Sequence, residues 1–275
     1  MTQPSLEDEL ERAEALETAA LADAIESIGF ECTRCGACCK GYEACGSGED
    51  GTAHAADDET ARAREPHTAT VFPDEVRRLL SATAERGMTT GRVDSDGDPG
   101  TTTTSQDTAD GDPDTTADRD YDWRDVARPM PYGLSEGDDG PTGETFEWAL
   151  QTDSCGDCTF YRERDGNGAC AVHEDRPLVC RTYPFSVALG GTSQPMGEAV
   201  DGEGMVRAHE CEGLGRDISR GDAEELAAAL KERAIRELEE AIDVRDNYRP
   251  LDLNGVVVHD SEGQKRPDGT PVTHE

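Results

Sequence analysis

Apolar residues recur at three- and four-residue steps near both ends of the chain, and these stripes predict its clearest elements. Over residues 5–30, Leu6, Leu10, Ala13, Leu21, Ala24, Ile25 and Ile28 fall on one helical face. Ser5 is placed to cap this helix, with Asp8 at the third helical position in a box-like arrangement and Gly29 at its end. Further on, Leu226, Leu230, Ile235, Leu238 and Ile242 form the stripe of another helix. Asp222 caps it, Glu225 takes the third position and Pro250 lies beyond its end. Between them, Val76, Leu79 and Leu80 predict a short buried face. It opens on Pro73, Asp74 and Glu75, residues suited to a first helical turn. Residues 145–150 alternate weakly and read as a strand. Residues 180–189 read as another, ended by Gly190 and Gly191.

Elsewhere periodicity fails, and this divides the chain. Residues 46–65 are small and polar, and residues 93–120 hold a run of threonines among many aspartates. The resulting organisation is an N-terminal helix over 1–30 and a first cysteine block with a short helix over 31–92. A disordered acidic insertion follows over 93–120, then a second cysteine block over 121–215, with structure resuming near Tyr121 and Trp123. A C-terminal helix over 216–248 and a tail over 249–275, solvated from 260 onward, complete it. Asp94, Asp96 and Asp98 superficially resemble a calcium loop, but the glycine is misplaced and no Glu stands at the twelfth position. Only 34% of the 275 residues are hydrophobic and 5% aromatic. Burial on that scale offsets the entropy of ordering only part of the chain, roughly 150 to 180 residues. The expected fold class is α+β, helix-dominated, with few short strands, long loops and a small core organised around a cysteine metal site.

Charge narrows the classes of function. The net charge is −35, and Lys40, Lys231 and Lys265 are the only lysines. Acidic residues spread along the whole chain, as on the surface of a halophilic protein, where salt screens self-repulsion. Nonspecific nucleic-acid binding needs a basic footprint and is excluded. No apolar run approaches the roughly 18 residues of a membrane span, and residues 1–16 are acidic where a signal peptide is basic and apolar. The expected location is cytoplasmic, where thiols stay reduced, and a disulfide framework is disfavoured.

The chemistry lies in the cysteines. Cys32, Cys35, Cys38 and Cys39 fall within eight residues, and Cys155, Cys158, Cys170, Cys180 and Cys211 form a second set. Thiolate is a soft ligand that favours zinc, copper(I) and iron–sulfur centres, and a Cys-x2-Cys step brings two sulfurs to one metal. The ferredoxin pattern is broken, because Tyr42 stands where the fourth cysteine belongs. Adjacent side chains diverge, so Cys38 and Cys39 are not expected to serve one mononuclear metal. Either they serve two centres or one is spare. No Gly-rich dinucleotide loop, P-loop or H-E-x-x-H motif anchors an enzyme assignment.

Phe30 leads the first block. The second contains Cys158-Thr159-Phe160, Cys170, then Arg176-Pro177-Leu178-Val179-Cys180-Arg181-Thr182-Tyr183-Pro184, and Cys211. Together these resemble the CxxCxxCC cysteine-cluster family, also called YkgJ-like and described as zinc- or iron-chelating or Fe–S-cluster-containing. The chain looks like a haloarchaeal-type acidic member. The resemblance covers residues 30–211 in broken pieces. It implies metal ligation by Cys32, Cys35, Cys38, Cys39, Cys158, Cys170, Cys180 and Cys211. Cys45 and Cys155 are extra to the pattern. His173 reads as bonded to backbone or a nearby carboxylate. Arg176 and Arg181 are expected to neutralise thiolates, and Tyr183, Pro184 and Phe185 to pack over the site. The implied partner is a metal ion, zinc or iron or an iron–sulfur cluster. Its role is structural, with redox catalysis or electron transfer, or metal delivery and storage, as alternatives.

Overall fold

The computed structural model describes residues 4–41, 68–90, 119–137, 140–164, 167–189, 199–201, 204–251 and 255–272. The predicted polar stretch over 46–65 and nearly all of the acidic insertion, including its calcium-like loop, lie outside the described residues. The N-terminal stripe forms two helices where one was expected, α1 (Leu6–Glu14) and α2 (Thr18–Ile28). Ser5 caps α1 reciprocally with Asp8, and Gly29, at φ 78°, closes α2. Neither Gly nor Pro announces the break. Its free carbonyls at Glu14 and Leu16 are taken instead by the ammonium of Lys231, each at 2.7 Å. A lysine more than 200 residues away thus offsets the cost of interrupting the helix.

Helix α3 (Pro73–Glu85) opens on Pro73 as predicted and runs five residues past Leu80, burying Val76 and Leu79. Two short helices follow, α4 (Trp123–Val126) and α5 (Leu178–Thr182). The long α6 (Arg220–Asn247) begins three residues earlier than expected. Ser219 caps it, and Asp222 takes the third position. Its buried seam is Ala223, Ala227, Leu230, Ala234 and Leu238. Four-three-four-four spacing with small side chains lets α1, α2 and α5 come close against it.

The strands are short and spread over several small sheets. Thr70–Val71 and Ala127–Pro129 flank Trp148–Leu150, all antiparallel. Phe185–Val187 and Ala199–Asp201 flank Val206–His209. The region 180–189 therefore begins in helix α5 and becomes strand only after Pro184. Tyr161–Arg164 and Asn167–Cys170 form a hairpin.

The C-terminal segment, expected as a solvated tail, is a structural element. Val256–Asp260 pairs in parallel with Gly140–Thr145 and folds back against Gly263–Lys265. Buried Asp260 accepts from Trp148 Nε1 and from Lys265 Nζ, both at 2.8 Å. An apolar run of only three valines beside charged residues gave little sign of burial; the charges are buried because they pair.

The architecture is α+β, with helices and strands both substantial. Its hydrophobic core is two clusters, not one centre built on cysteine. One joins α1, α2 and α6 to Phe185, Val187, Val206 and Ala208. The other gathers Val76, Leu79, Val126, Trp148, Phe160 and Val258, with Cys158 inside it and Cys39, Cys170 and Cys180 packed at its edge.

Replacing Asp260 with Ala removes the buried acceptor of Trp148 Nε1 and one of the two carboxylates on the Lys265 ammonium, leaving it Glu262 at 2.7 Å. A loss of about 3 kcal/mol is expected, measured by denaturant unfolding in high salt, with Asp260→Asn less damaging.

Candidate metal centre

The first cysteine block is a loop over residues 31–41 without regular structure, so backbone contacts with distant segments must hold it. At its front, Phe30 bridges Leu214, Glu31 N–H donates to Gly213 O at 3.0 Å, and Gly215 N–H donates to Gly29 O at 3.0 Å. A side chain at Gly213 would strike the Glu31 carbonyl. In the middle, Gly168 N–H donates to Arg34 O at 2.9 Å, with Arg34 at φ 58°. Gly36, at φ 78°, lies against the Tyr161 ring where a Cβ would overlap it. At its back, Cys158 N–H donates to Cys39 O at 2.7 Å and Gly41 N–H to Asp157 Oδ1 at 2.8 Å. Lys40 pairs with Glu163 and sits 5.3 Å over the Tyr161 ring.

The second block supplies its thiols from several elements. Cys158 is buried at an isolated bridge to Thr152, Cys170 ends the 161–170 hairpin, and Cys211 follows Val206–His209. Cys180 rides on α5, which is fixed at both ends. Buried Glu75 accepts from Leu178 N–H at 2.9 Å. Buried Arg233 donates to Thr182 Oγ1 at 3.1 Å. Burial raises the Glu75 carboxyl above its ordinary value.

These anchors bring the blocks together. Cys38 and Cys39 sulfurs lie 3.8 Å apart. That corrects the expectation that adjacent side chains diverge. The Gly36–Lys40 turn, closed by Cys39 N–H and Lys40 N–H on Gly36 O, swings both sulfurs to one side. Two thiolates bound to one tetrahedral zinc sit roughly 3.8 Å apart, given metal–sulfur bonds of about 2.3 Å. Cys38 lies near enough to the others to feel them. Its hydrogen bond with Cys39 outweighs burial and, with Arg176 beside it, lowers the thiol to about 7. Cys39 is pushed up by that same bond, by burial and by the neighbouring Cys38, Cys180 and Cys158. Burial pushes Cys158 up to about 12 and raises Cys180 strongly. Burial also raises Cys170 and Cys211, and Cys211 feels Cys35, Cys38 and Cys32 in addition.

All eight thiols are free; Cys38 acts on Cys170, Cys180 and Cys211, and Cys32 and Cys35 act on Cys211. Among the described residues, however, no three His, Cys, Asp or Glu side chains stand close enough to hold one metal ion. The donor set fits a soft metal in its chemistry, and the Cys38–Cys39 pair fits in spacing. The remaining thiols would have to close in.

Arg176 acts on Cys38, Cys170 and Cys180 as expected. Arg162, which the sequence reading passed over, acts on Cys158 and Cys170. Its position in a Cys-x3-Arg step was the available signal. His173 is half exposed and bonds Glu174 at 3.2 Å. Phe185 packs on Phe30, ring centroids 5.7 Å apart, in the helical core, and Tyr183 Oη donates to Glu210 O. The ring against the cysteine loop is Tyr161. Contrary to the expectation against disulfides, Cys155 is disulfide-bonded; Cys45 lies outside the described residues.

Residues 97–212 match the CxxCxxCC family model, described as a zinc- or iron-chelating domain. The matched span takes in Cys158, Cys170, Cys180 and Cys211 and stops short of the Cys32–Cys39 run, covering less than half of the chain. No curated protein and no solved structure matches. No described helix is long and apolar enough to cross a membrane.

Two substitutions test this geometry. Gly36→Ala should displace the loop from Tyr161 and cost about 1 to 3 kcal/mol, read by denaturant unfolding. Glu75 holds its proton more tightly in the folded chain. Its contribution to stability is therefore full at low pH and is lost as pH rises from about 4.5 through the raised folded value. Glu75→Gln should flatten that part of the stability–pH curve and cost about 1 kcal/mol through the lost acceptor.

Proposed function

We propose that the protein chelates zinc or iron through thiols drawn from both cysteine blocks, and that the metal is structural. The reading includes a YkgJ-like affiliation, a halophilic acidic surface and a cytoplasmic setting, with the eight candidate ligand thiols free although Cys155 is disulfide-bonded. One observation carries it. Two segments more than a hundred residues apart are stitched by backbone hydrogen bonds so that Cys38 and Cys39 meet the neighbourhood of Cys158, Cys170 and Cys180. The zinc- or iron-chelating description of the matched family supports the same chemistry.

The ligands would be Cys38 and Cys39 with members of Cys158, Cys170 and Cys180, and Cys32, Cys35 and Cys211 beside them. A bound metal would cross-link the loop, α5 and the 161–170 hairpin. Each ligating thiol must lose its proton, so binding releases protons and weakens as pH falls. Arg162 and Arg176 offset the negative charge that thiolates leave on a divalent ion.

Anaerobic purification in high salt, with assays for zinc, iron and acid-labile sulfide and a visible spectrum, tests the reading. Zinc without sulfide or colour is the expected result for a simple thiolate site. Brown colour with stoichiometric sulfide assigns an iron–sulfur centre instead. Absence of stoichiometric metal overturns chelation. Cys38→Ser and Cys180→Ser should each lower metal content, and a chelator should lower the unfolding midpoint. Rapid transfer of metal to the chelator with no loss of stability would favour delivery over a structural role.

A further inference from the structure

Away from the cysteines, a groove of about 570 Å³ runs between the second half of α6 and the strands around Trp148. Its walls are aromatic. Among the described residues, five large apolar side chains stand well exposed, and three of them line this groove: Tyr132 at 65%, Phe146 at 47% and Tyr248 at 37%. Phe146 and Tyr248 have ring centroids 5.9 Å apart at 45°. Both rest on the buried His259 ring, at 5.3 and 4.9 Å, and Tyr248 Oη donates to Glu144 at 3.1 Å. The rings are therefore held in place rather than hanging in solvent.

The same groove contains carboxylates. Glu237 is paired with Arg233, and Glu240 accepts from Ser261 N–H at 2.9 Å. Glu147 makes no side-chain hydrogen bond or ion pair among the described residues, and burial first, then like charge from Glu237 and Glu240, raises its carboxyl above the ordinary value. Arg245, the positive residue in the lining, is engaged by Glu7 at 2.7 Å and Asp246 at 2.8 Å. An aromatic wall facing uncompensated negative charge is complementary to a cation with an apolar surface. A weakly hydrated ammonium gains from the ring faces as well as from the carboxylate.

We propose that this groove binds a small organic cation, an alkylammonium head resting on the exposed faces of the Phe146 and Tyr248 rings, with Glu147 in the same lining. Inorganic cations, strongly hydrated, would gain little from the rings. A neutral ligand of the same shape would leave Glu147 facing only like charge.

Choline and its neutral isostere 3,3-dimethylbutan-1-ol test this on the full chain by calorimetry and by fluorescence of Trp148, in molar KCl to screen the general surface charge. Choline is expected to bind at least about tenfold more tightly than the isostere. Phe146→Leu, which keeps apolar volume but removes the ring, and Glu147→Gln should each weaken choline by about fivefold or more. Glu11→Gln, an exposed acid on α1, should leave it unchanged. Equal binding of the two ligands, no binding of choline, or unchanged affinity in both groove variants overturns the proposal. Far-UV circular dichroism checks that the variants fold; both positions are exposed, so they should.

Discussion

Everything at the cysteine centre depends on the backbone pairing of the 30–41 loop with two distant segments. Main-chain bonds at Glu31, Arg34 and Cys39 leave the thiols out of the anchoring. Glycine at Gly36 and Gly213 permits approaches that any side chain would block. The loop is thereby positioned with its sulfurs available. In a chain carrying 61 acidic and 26 basic residues, such contacts have a further merit: they involve no net charge and are indifferent to ionic strength.

The few cations are placed at joints. Lys40 holds the cysteine loop to the 161–170 hairpin, Lys231 bridges the α1–α2 break, and Lys265 neutralises buried Asp260. Arg233 ties α6 to α5, and Arg220 clamps the start of α6 to Asp23 and Glu26 of α2. The exposed pairs contribute little singly. The buried ones are different, because removing either partner leaves an unmatched charge in a dry setting.

Local signals were the legible part. The Ser5–Asp8 box, Pro73 at a helix start and Gly29 at a helix end are short-range chemistry and stand as read. The cysteine constellation was legible because soft ligands at such spacing have few other uses. What stayed hidden depends on partners remote in sequence. The α1–α2 break needs Lys231, and the C-terminal hairpin needs Gly140–Thr145 and Trp148. The Cys38–Cys39 approach depends on a turn set by Gly36, which residue spacing alone does not encode.

The long separation of the two blocks bears on how the protein is made. Cys32 to Cys39 leave the ribosome early, while Gly213 and Gly215, which bond the backbone of Glu31 and Gly29 just ahead of them, follow well over a hundred residues later. At about 5 to 20 residues per second, the interval is on the order of 10 to 40 seconds. During it the nascent loop carries four thiols with no folded surface to lean on. Metal supply and thiol protection during translation therefore bear on the yield of correctly assembled protein as much as the stability of the finished fold does.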